Sequence, residues 1–127
     1  MPWSRLATYA AIAVVAIVLV NVVTILQREG ASKRAYLLVQ ADVTNEERYA
    51  DYVKVAPDVV RKYGGRYLAR GGRSHTLEGP PARSRVVVIE FPSYEAAERF
   101  YRSPEYTAAR QLREGASTAQ FVIVEAL

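Results

Sequence analysis

Cysteine is absent from this chain and histidine occurs once. Without cysteine there is no disulfide, no thiolate ligand and no thiol for acylation. One histidine and no cysteine fall short of ordinary zinc ligation, so neither a metal nor a cofactor is expected. No Gly-Lys-Ser/Thr follows the paired glycines, which removes a phosphate loop, and Gly does not follow Met1, which removes N-myristoylation. Charge of one sign is also scarce. The 17 Lys and Arg against 13 Asp and Glu leave +4, too little and too mixed for a nucleic-acid surface. No tandem repeat of short period and no low-complexity tract is present.

What the chain does have is a long charge-free apolar run. Leu6 to Leu26 makes 21 residues without Asp, Glu, Lys or Arg. At about 1.5 Å per residue a helix of that length matches a bilayer core of about 30 Å. Trp3 and Tyr9 lie near one end, where aromatic rings favour the headgroup boundary. A cleaved signal peptide is the alternative, but its apolar core is roughly 7–15 residues and a small-x-small site follows it. This run is longer and leads into Thr24-Ile25-Leu26-Gln27-Arg28-Glu29. The expectation is one uncleaved transmembrane helix in a bacterial inner membrane, contacting the bilayer through residues 6–26. Arg28, Lys33 and Arg34 after the run outnumber Arg5 before it, which places the following domain on the cytoplasmic side. Asn21, polar within the run, is a candidate contact for a partner membrane helix. An Asn near the lipid boundary is the equal alternative.

The expected organisation is a tail and helix over 1–26, a linker over 27–34, and a domain over 35–127. All 13 acidic residues follow the anchor, so the domain carries mixed charge. Its size suffices for one small core. Strands are predicted at Ala35–Asp42, Arg66–Arg70, Arg85–Phe91 and Gln120–Glu125, with Arg73–Leu77 as a bent continuation of the second. A helix follows Thr44-Asn45-Glu46-Glu47, read as a capping box with Thr44 as N-cap. Pro57 should kink or subdivide it, and Gly64-Gly65 ends it. A second helix begins at Ser93, restarts at Ser103-Pro104 and runs to about Glu114. The order βαββαβ is the ferredoxin-like arrangement of an α+β sandwich. Both helices would cover one sheet face, yet the strands are apolar on both. A second copy is the simplest cover for the other face.

Several segments in order carry a family resemblance. They are Tyr63-Gly64-Gly65-Arg66-Tyr67-Leu68-Ala69-Arg70-Gly71-Gly72, Leu77-Glu78-Gly79 and Arg85-Val86-Val87-Val88-Ile89-Glu90-Phe91-Pro92-Ser93. Ala96-Ala97, Ser103-Pro104-Glu105-Tyr106 and Arg110 continue the pattern. From Ala35 to about Glu125 the chain resembles the DUF1330 family, small proteins of the dimeric α+β barrel superfamily. The resemblance implies a homodimer in which two sheets pack face to face. It implies no reaction. Antibiotic-biosynthesis-type monooxygenases, muconolactone isomerases and haem-degrading enzymes belong to the wider superfamily, but a shared superfold does not transfer chemistry.

No catalytic constellation emerges, so no catalytic residue is assigned. The candidates for ligand binding are Arg70, Arg73, His75, Glu78 and Glu90. His75 could act near neutral pH as a base or be a hydrogen-bonded strand-end histidine. Arg70, Arg73 and Glu78 surround Gly71-Gly72, where a small acid could approach two guanidinium forks, or where an internal Arg–Glu pair could fix the loop. Glu90 ends an apolar strand and needs a partner, with Arg70 the expected one. Tyr49, Tyr52, Tyr63, Tyr101 and Tyr106 sit at core-like helical spacing, which favours packing over an aromatic cage. The functional expectation is a membrane-anchored accessory or interaction domain, a subunit of a larger complex or a homodimer. A membrane-tethered binder or enzyme using Arg70, Arg73, His75 and Glu90 is the alternative.

Overall fold

A computed structural model describes residues 2–29 and 32–127, the side chains of residues 25–29 excepted. The chain divides into two compact units, one ending at Ser32 and one spanning Lys33–Leu127.

The first unit is a single helix, α1, over Pro2–Glu29. Its described side chains are all exposed, and Pro2–Thr24 is long and apolar enough to cross a membrane. Its polar side chains turn back onto the helix. Thr8 Oγ1, Asn21 Nδ2 and Thr24 Oγ1 donate to the carbonyls of Ser4, Ile17 and Val20, each at 2.8 Å. Donors bonded within the helix do not need water, which is what a lipid environment demands. α1 continues through Gln27–Glu29, taking up the start of the expected linker. Gly30 and Ala31, also assigned to that linker, lie outside the described residues.

The second unit runs β1 (Ala35–Val43), α2 (Glu46–Lys62), β2 (Arg66–Arg70), β3 (Arg85–Phe91), α3 (Tyr94–Arg102), α4 (Pro104–Gln111) and β4 (Ser117–Glu125). The sheet order is β2-β3-β1-β4 with every pair antiparallel. This is the ferredoxin-like α+β sandwich, with its second helix broken in two. Ser103 makes that break. Its Oγ donates to Phe100 O at 2.7 Å and accepts from Tyr106 N at 3.1 Å, so one buried hydroxyl closes α3 and caps α4. Pro104 supplies the first helical position, where its missing N–H costs nothing.

Four local expectations need correction. The α2 cap is Asn45, which accepts from Arg48 N at 3.1 Å, rather than Thr44. The Thr44 and Asn45 amides both donate to Ala116 O, so the chain is still tied to the β4 end and the helix starts later. Pro57 does not divide α2, which stays continuous through Lys62. A proline at 57 leaves the carbonyl four residues back, at Val53, without its amide. Arg70 Nη2 donates to that carbonyl at 3.3 Å in its place. No strand forms over Arg73–Leu77, since residues 71–84 are irregular. Gly71 donates a last rung to Val86 O at 2.8 Å but has φ of +65°, which turns the chain out of the sheet. The bulge lies inside β2 instead, between Tyr67 and Ala69. Finally, α4 stops at Gln111 and β4 begins at Ser117, because turn residues and Gly115 at φ +72° fill the interval.

The core lies between the sheet and α2, α3 and α4. Leu37, Val39, Val87, Ile89 and Phe91 meet Val59, Val60, Ala97, Phe100 and Tyr106. Phe100 and Tyr106 ring centroids are 4.4 Å apart. Tyr52 and Tyr106 share a hydroxyl–hydroxyl bond of 2.9 Å, so the helical tyrosines pack as expected. Gly65 permits the close approach of α2 to β3. A Cβ there would lie 2.6 Å from Val60 Cγ1 and 2.8 Å from Phe91 Cε1.

Candidate functional site

Strand alternation gives this sheet two faces of different character. Leu37, Val39, Val87, Ile89 and Phe121 point toward the helices. The neighbours between them point away: Leu38 lies opposite both Val88 and Val122, and Tyr36 lies opposite both Glu90 and Val124. On this second face Leu38 is 41%, Leu68 49%, Val122 45% and Val124 45% exposed. Polar groups frame it. Glu90 accepts from Arg34 Nη1 at 2.8 Å and from Arg66 Nη2 at 3.0 Å. At the other end Arg83 bonds Asp42 at 3.0 Å and Thr118 at 2.8 Å, while the Ser84 amide donates to Asp42 at 3.0 Å. The Ser84 backbone bond, with Arg83 adding to it, holds the Asp42 carboxyl below its ordinary range. The result is an apolar sheet surface with ion pairs at its ends.

The helix-side face holds a small cavity between the four strands and α2. Its volume is about 30 Å³, room for one or two waters. Tyr49, Tyr52 and Tyr67 line it together with Arg70, Arg85 and Arg113, and no carboxylate does. Each guanidinium lies over a ring: Arg70 4.7 Å from the Tyr67 centroid, Arg85 5.7 Å from Tyr49, and Arg113 5.4 Å from Tyr52. Burial pushes the Tyr52, Tyr67 and Tyr106 hydroxyls up, so they remain neutral near pH 7. Burial works against the Arg113 charge, but its interactions with the Tyr106 and Tyr52 hydroxyls, hydrogen bonds included, outweigh it and the net shift is upward.

The five candidate ligand residues do not meet. Arg70 lines the helix-side cavity. Glu90 lies on the opposite face and pairs with Arg34 and Arg66, not with Arg70. Arg73, His75 and Glu78 are exposed on the irregular segment after β2. The β2 bulge explains the Arg70 result. The extra residue shifts the side-chain phase, so Arg66 stands opposite Glu90 while Arg70, opposite Val87, turns to the helix side. Arg85 and Arg113 were missed by reading the sequence. Arg85 shares the phase of Val87, Ile89 and Phe91, and that alternation was the available signal. Arg113 lies in the turn after α4, where no local signal marks it. Asn21 bonds its own helix through Nδ2.

Residues 34–127 match the family model described as a domain of unknown function, DUF1330. No functionally curated protein matches the chain. Among solved structures, it is similar to a protein of unknown function from Rhodopseudomonas palustris: 21% identity, 83% of this chain and 92% of that one, TM-score 0.62. It is also similar to a hypothetical Arabidopsis thaliana protein: 13% identity, 76% and 91% coverage, TM-score 0.56. A third is a mutant form of a cofactor-independent oxygenase from Streptomyces nogalater: 14% identity, 75% and 94% coverage, TM-score 0.53. At these identities the likeness concerns the fold.

Proposed function

Because this chain belongs to the DUF1330 family over residues 34–127, a family defined without a reaction, we propose a function from its surfaces: a single-pass membrane protein whose domain self-associates through the open sheet face. The observation that carries this reading is the exposed row of Leu68, Leu38, Val122 and Val124. An apolar sheet face of this kind loses free energy in water and gains it when covered, at about 25 cal/mol per Å². A second copy offers the same row and the same flanking charges, so a two-fold axis through the face makes it self-complementary. α1 supports the membrane part of the reading. It has the length of a span and keeps the Thr8, Asn21 and Thr24 donors within the helix. Two-dimensional confinement would raise the local concentration of the domain and favour pairing. Asn21, polar within the apolar run of α1, is the proposed contact for a neighbouring helix in a larger assembly.

The test uses the full chain in mild detergent, with its mass measured by light scattering over a dilution series. A dimer at micromolar concentration supports the reading, and a monomer throughout refutes pairing. The absence of cysteine makes orientation measurable. Single Ser4→Cys and Ser74→Cys variants in intact cells are treated with a membrane-impermeant maleimide. Labelling at Ser4→Cys alone supports a cytoplasmic domain. Labelling at Ser74→Cys reverses the orientation, and full release of the chain by alkaline carbonate removes the anchor.

A further inference from the structure

We infer that the helix-side cavity is a binding site for a small organic carboxylate. The argument begins with where the chain places its positive charge. Seven ion pairs occur among the described residues, and none involves Arg70, Arg85 or Arg113. These three line one cavity without an acidic residue on its wall. The Nε atoms of Arg85 and Arg113 are buried and have no hydrogen-bond partner. A buried guanidinium donor without a protein acceptor costs free energy, and two on one small cavity whose wall has no acidic residue make it suited to an anionic acceptor. The two arginines line the same cavity and lie over neighbouring rings, Tyr49 and Tyr52, whose centroids are 5.4 Å apart.

The chemistry of the wall selects the ligand. The Tyr52 and Tyr106 hydroxyls already accept hydrogen bonds from Arg113 but, being neutral, bring no charge, while a carboxylate offers oxygens to the free Nε–H donors and gains from their charge. The cavity volume of about 30 Å³ suits the carboxylate head alone. Arg70 is exposed at the rim and stacks on Tyr67 at 4.7 Å. An aromatic or other flat apolar body attached to the carboxylate would extend outward there, between Tyr49 and Tyr67, with Arg70 over its outer edge. Arg70 keeps further donors available, because its bond to Val53 O uses only Nη2. This reading is independent of pairing through the other sheet face.

Benzoate is the probe and benzamide, of the same shape without the charge, is the control. The full chain in detergent is titrated with each while the arginine Nε–H resonances are followed by NMR. Benzoate is expected to move the Arg85 and Arg113 signals and to bind at least tenfold more tightly than benzamide. Arg85→Gln and Arg113→Gln should each weaken benzoate about tenfold or more, while Arg34→Gln, on the opposite face, leaves it unchanged. Equal binding of benzoate and benzamide overturns the proposal. So does absence of benzoate binding at millimolar concentration, or unchanged affinity in folded Arg85→Gln. If Arg113→Gln fails to fold, Arg85→Gln and Arg85→Lys decide. Lysine keeps the charge without the Nε–H, so affinity between wild type and Arg85→Gln supports the assignment and wild-type affinity counts against it.

Discussion

Leu37 and Leu38 are neighbours in one strand and have opposite fates. Leu37 is 1% exposed beneath the helices, and Leu38 is 41% exposed on the open face. A weaker form of the contrast separates buried Val87 from half-buried Val88 and half-buried Ile123 from exposed Val124. Both sets are apolar, so composition does not distinguish them. The difference lies in what covers each face: the chain's own helices on one side, and nothing among the described residues on the other. An apolar residue of the first kind stabilises the fold, whereas one of the second kind contributes only if the face is covered, as in the pairing proposed above.

That contrast can be broken by experiment. The largest effect is expected for Leu37→Ala, which opens a cavity in the core and should lower unfolding free energy by about 2–5 kcal/mol. Urea denaturation of the full chain, at a dilution that leaves it monomeric, measures this. Leu38→Ala should cost well under about 1 kcal/mol in the same assay. A similar loss for both would mean that the two faces do not differ as described.

Next in size is Leu38→Lys. A charge in the centre of a paired sheet face would weaken dimerisation by roughly a hundredfold or more, with little change in monomer unfolding. Sedimentation in density-matched detergent reads the dimer constant. Retention of the dimer would shift the interface elsewhere.

A smaller effect tests the helix side. Arg70→Ala should cost about 1 kcal/mol by leaving Val53 O without its donor. In a Pro57→Ala background the restored amide can satisfy that carbonyl, and the same change should cost much less. The two costs form a double-mutant cycle by urea unfolding. Additive costs would show that Arg70 does not substitute for the missing amide.

The smallest effect lies at the edge of the helical layer. Lys62 and Glu105 are bonded, and Tyr63 donates to the second Glu105 oxygen at 3.0 Å. The Lys62 hydrogen bond, with the backbone and Tyr63 bonds adding to it, depresses the Glu105 carboxyl from 4.5 to about 2. A depressed carboxyl stabilises the fold above its unfolded value, and that contribution fades as pH falls from about 4.5 toward about 2. The pair is open to solvent, which screens it, so the effect on stability is slight. NMR of the Glu105 carboxyl carbon should show titration near 2 in the wild type and a rise toward its ordinary value in Lys62→Ala. An unchanged midpoint would remove Lys62 as the cause.

Much of the fold was legible because its signals are local. Ser93 and Ser103 cap where expected, Gly64 turns at φ +80°, and Val86–Phe91 reads as a strand without reference to anything else. Thr44 misled because Ala116, distant in sequence, holds its amide. The candidate site was far less legible. Arg70, Arg73, His75 and Glu78 were grouped by closeness along the chain, yet closeness in sequence does not put side chains on one side of a sheet. Arg85 and Arg113 are 28 residues apart and come to line one cavity only through folding.

The sequence by itself determined the apolar helix, the βαββαβ order and the apolar character of both strand faces, since each depends on periodicity and capping within a few residues. Only the tertiary structure decided which face the helices cover and which arginines share a cavity. It also decided that Glu90 belongs with Arg34 and Arg66. The physical reason is phase. A strand presents two faces, and which one becomes interior depends on long-range pairing, where one extra residue between Tyr67 and Ala69 moves Arg70 from the Glu90 side of the sheet to the other.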